Sequence, residues 1–197
     1  MVIVGLDLAG VEHRLTGFCA LNGMKAETCL IYTDVEILSK IRETRPALVA
    51  IDAPLSLPPG RKSLEERTGA HLRECDKELL KKGIKFFPVT LGPMRKLTQR
   101  GINLRHILES ERFLTIEVYP GGAQDVLGIP RKQRGLEKLR EGLERLGIEG
   151  LKDQLSDHEL DAATCAYVGK LFLYEKAVTY GSKSDGIVMP KGEKACK

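Results

Sequence analysis

The chain has 197 residues, a length typical of one domain that can bury a full hydrophobic core. Its five cysteines are odd in number and no two stand in a CxxC pattern, which argues against a disulfide framework and a structural zinc site. No apolar run approaches the roughly 18 residues of a membrane span, and the first residues lack the basic region of a signal peptide. We therefore expect a cytoplasmic protein that contacts no membrane, and the scarcity of Asn and Gln favours a heat-adapted source.

A three-strand meander, a helix and a fourth strand are predicted in the first part of the chain. The dipeptide Asn22-Gly23 is typical of a two-residue hairpin turn. The capping-box sequence TDVE at 33–36 predicts a helix that ends before Pro46. The helical crossover makes the fourth strand parallel to a neighbour. The four strands correspond to apolar runs at residues 2–8, 15–21, 24–32 and 47–52.

A Pro-rich and basic stretch at about 54–112 is predicted to be a helical insertion on one edge of the core. The capping box SLEE at 63–66 predicts a helix to about Lys82, and a second helix is expected at 96–109. Residues 60–112 hold 13 Lys and Arg against 7 acids, a net charge of +6. Such a segment favours a polyanionic substrate, although solvated helix faces would have the same composition.

The remaining sequence alternates strand and helix patterns. An apolar run at 113–119 predicts a fifth strand closed by PGG, and a polar helix is expected around 131–146. The capping box SDHE at 156–159 begins a further helix, and residues 186–190 are typical of a short last strand. We therefore expect a single α/β domain over residues 1–197, with a mixed sheet of a three-strand meander plus parallel strands, flanked by helices.

Acidic side chains stand where buried strands end. Asp7 and Asp52 each follow an apolar run, and parallel neighbouring strands bring their carboxyl ends to one edge of the sheet, where ligands bind. Glu117 interrupts the fifth strand, and a buried carboxylate there needs a cation because an isolated buried charge is too costly. Two alternatives remain open, namely a turn-capping role for the aspartates and an arginine partner for Glu117.

The helix that begins SDHELD adds further candidates. Ser156 is its N-cap and Glu159 takes the capping-box position, which leaves three polar side chains. Asp157 and Asp161 are spaced i,i+4, and His158 and Asp161 are spaced i,i+3, so either pair shares a face. Asp157 could instead complement the helix dipole, and His158 could be a surface histidine. Small residues farther along let the helix pack close to the sheet, so Asp161 is expected to point at the strand ends.

Three or four hard oxygen ligands without a thiolate suit Mg²⁺ or Mn²⁺ rather than Zn²⁺. Two such ions about 3.5–4 Å apart activate water and stabilise a leaving oxygen, as in phosphoryl-transfer sites. The residues therefore predict a metal-dependent phosphoryl-transfer site, and together with the resemblance described next they predict hydrolysis of phosphodiester bonds. The candidate catalytic residues are Asp7, Asp52, Glu117 and Asp161, and the candidate metal ligands are Asp7, Asp52, Asp157, His158 and Asp161.

The βββαβ pattern with acids at these places resembles the ribonuclease H-like fold, and HELDAA at 158–163 is similar to the H-x-x-D helix of RuvC-type Holliday junction resolvases. More closely, the chain resembles the DUF429 family of predicted nucleases. The resemblance implies Asp7, Asp52 and Asp161 as metal ligands, a DNA or RNA substrate and, because resolvases work as dimers, a homodimer as one arrangement. The matching stretches are GLDLAG (5–10), AIDAPLSLP (50–58), RECDKELLKKGIKFFP (73–88), IEVYPGGA (116–123), DHELDAATCAY (157–167) and DGIVMP (185–190).

The basic insertion supplies candidates for substrate binding. Arg73 is expected to clamp a phosphate, with Asp76 orienting it through a salt bridge, and Lys85 is a second candidate. A solvated helix face is the alternative for this stretch. Cys75 is not expected to be catalytic, because the predicted reaction needs no thiol.

Two other functions share the predicted fold. An ATP-dependent phosphotransferase of the actin or sugar-kinase type also begins with a strand-one aspartate, but here only one glycine closely follows Asp7 and the chain is short for a duplicated domain. A non-catalytic nucleic-acid-binding module is the other alternative. The retained acids argue against it, because they would repel nucleic acid.

Overall fold

The computed structural model describes residues 1–66, 69–182 and 185–192. The strands in these residues form one seven-stranded sheet with the order 3-2-1-4-5-7-6, numbered along the chain. The prediction of a three-strand meander joined to parallel strands is confirmed. The strands are β1 (Val2–Asp7), β2 (Thr16–Asn22), β3 (Lys25–Ile31), β4 (Leu48–Asp52), β5 (Thr115–Val118), β6 (Ala177–Tyr180) and β7 (Ile187–Pro190).

Strand direction decides where functional side chains can meet. Strands β1, β4, β5 and β7 are parallel, so their carboxyl ends lie at one edge of the sheet. Strand β6 pairs antiparallel with β7 and was not predicted. Its four residues are all only half-buried at the end of the sheet, which gives too short and too weak an apolar pattern to identify a strand.

Two of the three predicted capping boxes mark the start of a helix in the described segments. Thr33 and Ser156 each accept a hydrogen bond from the backbone N–H three residues later, and both capping boxes are complete. No helix in these segments is both long and apolar enough to cross a membrane. The helices are α1 (Asp34–Thr44), α2 (Glu74–Lys81), α3 (Gly92–Ser110), α4 (Pro120–Val126), α5 (Leu136–Arg145) and α6 (Asp157–Leu173), with a 3₁₀ turn at Lys132–Arg134.

The helix predicted from the SLEE sequence at 63–66 to about Lys82 has the correct end but the wrong start, because α2 begins only at Glu74 and ends at Lys81. The described residues before Glu74 form a loop, and Arg67, one of the basic residues of the insertion, lies outside the described residues. The buried Arg61 guanidinium donates to the backbone carbonyls of Glu66 and Ala70. Carbonyls that a helix would use internally are therefore bound by a side chain. The PGG sequence also differs from expectation, since it opens the short helix α4.

Helix α6 lies directly on β1 and β2 because glycine stands at both contact points. A Cβ atom on Gly5 would come within 2.0 Å of the Ala162 carbonyl oxygen. A Cβ atom on Gly17 would come equally close, 2.0 Å, to the carbonyl oxygen of His158. The glycines and the small helix residues together bring the first two turns of α6 to the end of β1.

The opposite face of the sheet is covered by α1 and α3. Ile37 and Ile41 of α1 and Leu104 and Leu108 of α3 are buried against Val4, Leu6 and Ile51. The second half of the stretch predicted as an edge insertion is therefore a helix that closes the core. Helix α2 also contributes to the core, because its Cys75 and Leu79 are buried in the hydrophobic cluster that includes residues of α6.

Candidate functional site

Asp7 and Asp52 are the last residues of the neighbouring parallel strands β1 and β4, and they are register partners. Register partners on neighbouring strands point to the same face of a sheet, and so do residues two apart on one strand. Because Gly5 touches α6, Asp7 and Asp52 both lie on the α6 side. The structure thus brings together two acids that are 45 positions apart in the sequence.

The first turn of α6 places His158 over the end of β1. The capping box fixes this turn, since the Glu159 carboxylate accepts from the Ser156 backbone N–H at 3.1 Å. His158 Nδ1 lies 2.7 Å from Asp7 Oδ2. This hydrogen bond raises the pKa of His158, with partial burial opposing it, so the imidazolium is the favoured partner of the carboxylate.

Asp161 is buried one turn farther along α6 and has a partner on each carboxylate oxygen. Gln124 Nε2, from α4, donates to Oδ1 at 2.8 Å. Lys132 Nζ lies 3.0 Å from Oδ2 and 2.9 Å from Asp157 Oδ2, so one ammonium bridges the two aspartates. Burial alone would lower the pKa of Lys132, but the neighbouring acids outweigh burial and raise it.

Asp52 lies beside Asp7 at the strand ends and has no partner of its own among the described residues. Within the described ranges its half-buried carboxylate has neither a hydrogen bond nor an ion pair. Burial, followed by the negative charges of Asp7 and Asp161, raises the pKa of Asp52 well above its ordinary value. Burial and Asp7 also raise the pKa of Asp161, although Lys132 opposes them. The ionised form of Asp52 is therefore disfavoured unless a cation binds beside it.

The carboxylates at this site are of the chemical type that binds a divalent ion. Their arrangement in the structure, however, is not that of a formed metal site. In residues 1–66, 69–182 and 185–192, no three His, Cys, Asp or Glu side chains form a group that could hold a metal ion. Lys132 and His158 neutralise Asp161 and Asp7 instead, which leaves Asp52 unbalanced. Carboxylate oxygens are the ligands that Mg²⁺ and Mn²⁺ prefer, and a cation would offset the burial and the repulsion that together raise the pKa of Asp52.

Glu117 lies at the same edge but on the opposite face of the sheet. It is the register partner of Ile51, so it points away from the side of Asp52. Its carboxylate accepts from Arg73 Nη1 at 2.7 Å, from Arg73 Nη2 at 2.8 Å and from the Leu55 backbone N–H at 2.8 Å. The arginine partner left open from the sequence is thus present, and the structure does not bring Glu117 into the group of Asp7, Asp52 and Asp161.

Arg73 is enclosed rather than presented to solvent, which corrects the expectation of a phosphate clamp. Only 4% of the residue is exposed, and its guanidinium also donates to Asp76 Oδ1 at 2.9 Å and Oδ2 at 3.2 Å. The predicted salt bridge with Asp76 is therefore present, but the guanidinium is already paired with two carboxylates, which would repel a phosphate. Lys85, by contrast, is exposed between α2 and α3. Burial raises the pKa of Cys75 to about 12, so this thiol is not a nucleophile.

A cavity of about 190 Å³ opens at the carboxyl ends of β4 and β5, beside Asp52. Its wall is mainly aromatic and aliphatic, and the ionic group of Arg73, Asp76 and Glu117 lines its polar part. The apolar lining includes Leu79, Phe86, Phe87, Met94, Leu97 and Tyr119. This position is where open α/β sheets bind their ligands.

Sequence reasoning missed Lys132 and Gln124. Lys132 stands beside Arg131 and near Arg134 in a polar stretch, so nothing local distinguishes the one cation that reaches Asp161. Gln124 carried a clearer signal. It follows the small residues of PGGA at the end of a buried strand, and a polar residue at such a buried turn needs a partner.

Comparison with solved structures finds two structures of RuvC from Thermus thermophilus. The first, "Thermus thermophilus RuvC structure", is 14% identical with a TM-score of 0.51, and the match covers 96% of this chain and 100% of that chain. The second, RuvC "in complex with Holliday junction substrate", is 14% identical with a TM-score of 0.49. This match covers 89% of this chain and 96% of that chain. The first match confirms the ribonuclease H-like fold. At this identity it shows the fold alone.

None of the curated proteins compared with the chain matches it. A family model does match, and it covers residues 5–185, nearly the whole chain. The family is described as "Protein of unknown function (DUF429)". The chain therefore belongs to the DUF429 family, as its sequence stretches predicted.

Proposed function

We propose that this protein is a metal-dependent nuclease that hydrolyses phosphodiester bonds in DNA or RNA. The observation that carries the proposal is the unpartnered carboxylate of Asp52, the register partner of Asp7. Burial, and then the charges of Asp7 and Asp161, raise the pKa of this carboxylate. Clustered acids of this kind reduce stability unless a cation binds them. Their place at the carboxyl edge of the parallel strands supports a ligand site.

Each residue of the group has a proposed role. Asp7, Asp52 and Asp161 would hold Mg²⁺ or Mn²⁺, and Asp157 or His158 would complete the two-metal arrangement predicted from the sequence. When bound, such an ion activates water and stabilises negative charge on the reacting phosphate. His158 orients Asp7 through its 2.7 Å contact.

Two side chains that the sequence analysis missed support this arrangement. Gln124 fixes one oxygen of Asp161 at 2.8 Å, which leaves the other oxygen for exchange between Lys132 and a metal ion. Lys132 brings a positive charge next to the acids, where it would also attract a phosphate.

A second cavity, of about 530 Å³, supports an anionic strand as the substrate. It lies between the loop after β1 and the start of α3. Exposed His13, Arg14 and Lys96 line it, and Met94 and Leu97 border both this cavity and the one beside Asp52. Positive charge on one side of the acids is suited to the phosphates that flank the cleaved bond.

The test compares the wild type with Asp52→Asn on labelled single-stranded and duplex DNA and RNA, with Mg²⁺, with Mn²⁺ and with EDTA. We expect wild-type cleavage only with metal and none by Asp52→Asn, together with weaker Mn²⁺ binding by calorimetry. Asp153→Asn is the matched control, because Asp153 is 98% exposed and should cleave like the wild type. Cleavage in EDTA, or unchanged Mn²⁺ binding by Asp52→Asn, would contradict the proposal, and turnover of ATP would indicate a phosphotransferase instead.

The proposal includes a cytoplasmic location. Cys19, Cys29, Cys75 and Cys165 are all free thiols, as is usual in a reducing compartment. The predicted homodimer stays a prediction that the oligomeric state in solution would test.

A further inference from the structure

The cavity beside Asp52 has a volume of about 190 Å³ and combines aromatic side chains with one polar group. We propose that it takes a single unpaired base of the nucleic-acid strand. This inference rests on the proposed nuclease function and deepens it, because it names the substrate as a strand that presents an unstacked base next to the bond to be cleaved.

The apolar wall carries the first part of the argument. Phe87 is 72% exposed, whereas Phe86 and Tyr119 on the same cavity are half-buried. A large aromatic ring that stays in solvent while it lines a cavity beside a polar site has a stacking surface available. Bases of single strands stack on such rings, and they do so with little regard to sequence.

The polar part of the cavity selects a base over a phosphate. Arg73, Asp76 and Glu117 carry one positive and two negative charges, so this group disfavours an anion. Glu117 Oε1 accepts one hydrogen bond in the described structure, from Arg73 Nη2, although a carboxylate oxygen can accept two. The amino and imino N–H groups on the edge of a base are donors of the required kind.

The position of the cavity links base binding to the acids. Asp52 belongs both to the cavity and to the group with Asp7 and Asp161. A base held here would bring the adjoining phosphates to the acids and toward the basic cavity that shares Met94 and Leu97. A paired base in a duplex cannot reach the wall unless it leaves the stack, which costs unpairing energy.

The experiment follows the fluorescence of one 2-aminopurine placed in the middle of a thymidine oligonucleotide, in EDTA. With the wild type we expect a saturable change in fluorescence, and none when the oligonucleotide is annealed to its complement. Phe87→Ala should bind about 5- to 150-fold more weakly, the range of one stacked base, and Phe87→Tyr should bind like the wild type. Val35→Ala is the control, because Val35 is 77% exposed on α1 and does not line the cavity.

Equal affinity of wild type and Phe87→Ala would overturn the base site, and so would an equal fluorescence change with the annealed duplex. Because the titration contains no divalent ion, its result is independent of cleavage. If the fluorescence change is lost in Phe87→Ala and the wild type binds no Mn²⁺, the base site is supported and the nuclease function is rejected. If the wild type cleaves in a metal-dependent way but gives no fluorescence change, the nuclease function is supported and the base site is rejected.

Discussion

Two groups of charged side chains lie at the carboxyl edge of the sheet, on opposite faces, and they differ in how completely their charges are paired. In the buried group, Arg73 joins Asp76 and Glu117, and every carboxylate oxygen accepts at least one hydrogen bond. In the other group, Asp7 and Asp161 have partners, but Asp52 has none within the described residues.

The difference separates a structural role from a functional one. A buried ion pair is tolerated when all its oxygens are satisfied, and removing one member leaves an uncompensated charge. An acid that is held near two other acids lowers stability, and proteins retain such groups at functional sites. The Arg73 group therefore positions the chain around the cavity, and the Asp52 group is the candidate for chemistry.

The largest expected effect comes from removing the only cation of the buried group. Arg73→Met should lower the free energy of unfolding by about 3–5 kcal/mol, because two buried carboxylates lose their partner. Urea denaturation would measure it. The control is Lys77→Met on the same helix, whose 2.7 Å pair with Glu74 is solvent-exposed and should change stability by less than about 1 kcal/mol. If Arg73→Met is as stable as this control, Arg73 does not have the structural role that we assign to it.

The second prediction addresses the group of Asp7, Asp52 and Asp161, which we call the unpaired group because Asp52 has no partner among the described residues. Asp7→Asn and Asp161→Asn should each weaken Mn²⁺ binding at least about 100-fold, since even supporting residues of metal sites reach that effect, and each should abolish metal-dependent cleavage. The free energy of unfolding without metal should change by less than about 1 kcal/mol, because the amide keeps the shape while repulsion falls. Calorimetry and urea denaturation measure the two quantities. A variant that unfolds with an unchanged metal response would show that the aspartate is structural.

The acids of the unpaired group were predictable because each depends on a local pattern. Apolar runs end at Asp7 and Asp52, and a complete capping box fixes the turn that holds His158 and Asp161. The parallel crossover then brings the strand ends together. At these strand ends and at this helix start, the local sequence pattern and the tertiary packing favour the same structure.

The buried group was not predictable in the same way. The phosphate clamp predicted for Arg73, with a solvated helix face as the alternative, follows from its basic neighbours. The burial of Arg73 depends instead on Glu117, 44 positions away. A long-range ion pair overrode the local pattern. The failed capping box at 63–66 has a similar cause, because Arg61 binds the carbonyls of that loop. Lys132 was missed because its contact with Asp161 is also set only by tertiary structure.

The third prediction tests Lys132 as the internal counter-charge of the unpaired group. Lys132→Met should tighten Mn²⁺ binding about tenfold, because an ammonium 3.0 Å from Asp161 no longer competes with the ion. Arg134→Met is the control, since Arg134 is exposed on the same 3₁₀ turn and should change affinity less than about twofold. Calorimetry with Mn²⁺ on both variants decides it. Weaker binding by Lys132→Met would show that the ammonium supports the metal site rather than competing with it.

The smallest effect is expected at Glu159, which lies in the same turn as His158 but belongs to neither charged group. Its carboxylate accepts from the Ser156 backbone and from the Thr28 hydroxyl at 2.9 Å. Glu159→Ala should lower the free energy of unfolding by about 0.5–2 kcal/mol through loss of the capping box. Mn²⁺ affinity should stay within about twofold of the wild type, because the turn is also held by packing on β1 and β2.

Glu159→Gln is the matched control for this cap, since glutamine also fills the capping-box position and should recover most of the lost stability. Urea denaturation and Mn²⁺ calorimetry on both variants separate the two properties of the helix start. If Glu159→Ala loses the Mn²⁺ signal while Glu159→Gln keeps it, the cap is needed to place His158 and Asp161 over the strand ends. In that case the cap at Glu159 would not act on stability alone. An ordered first turn of α6 would itself be required for metal binding by the acids.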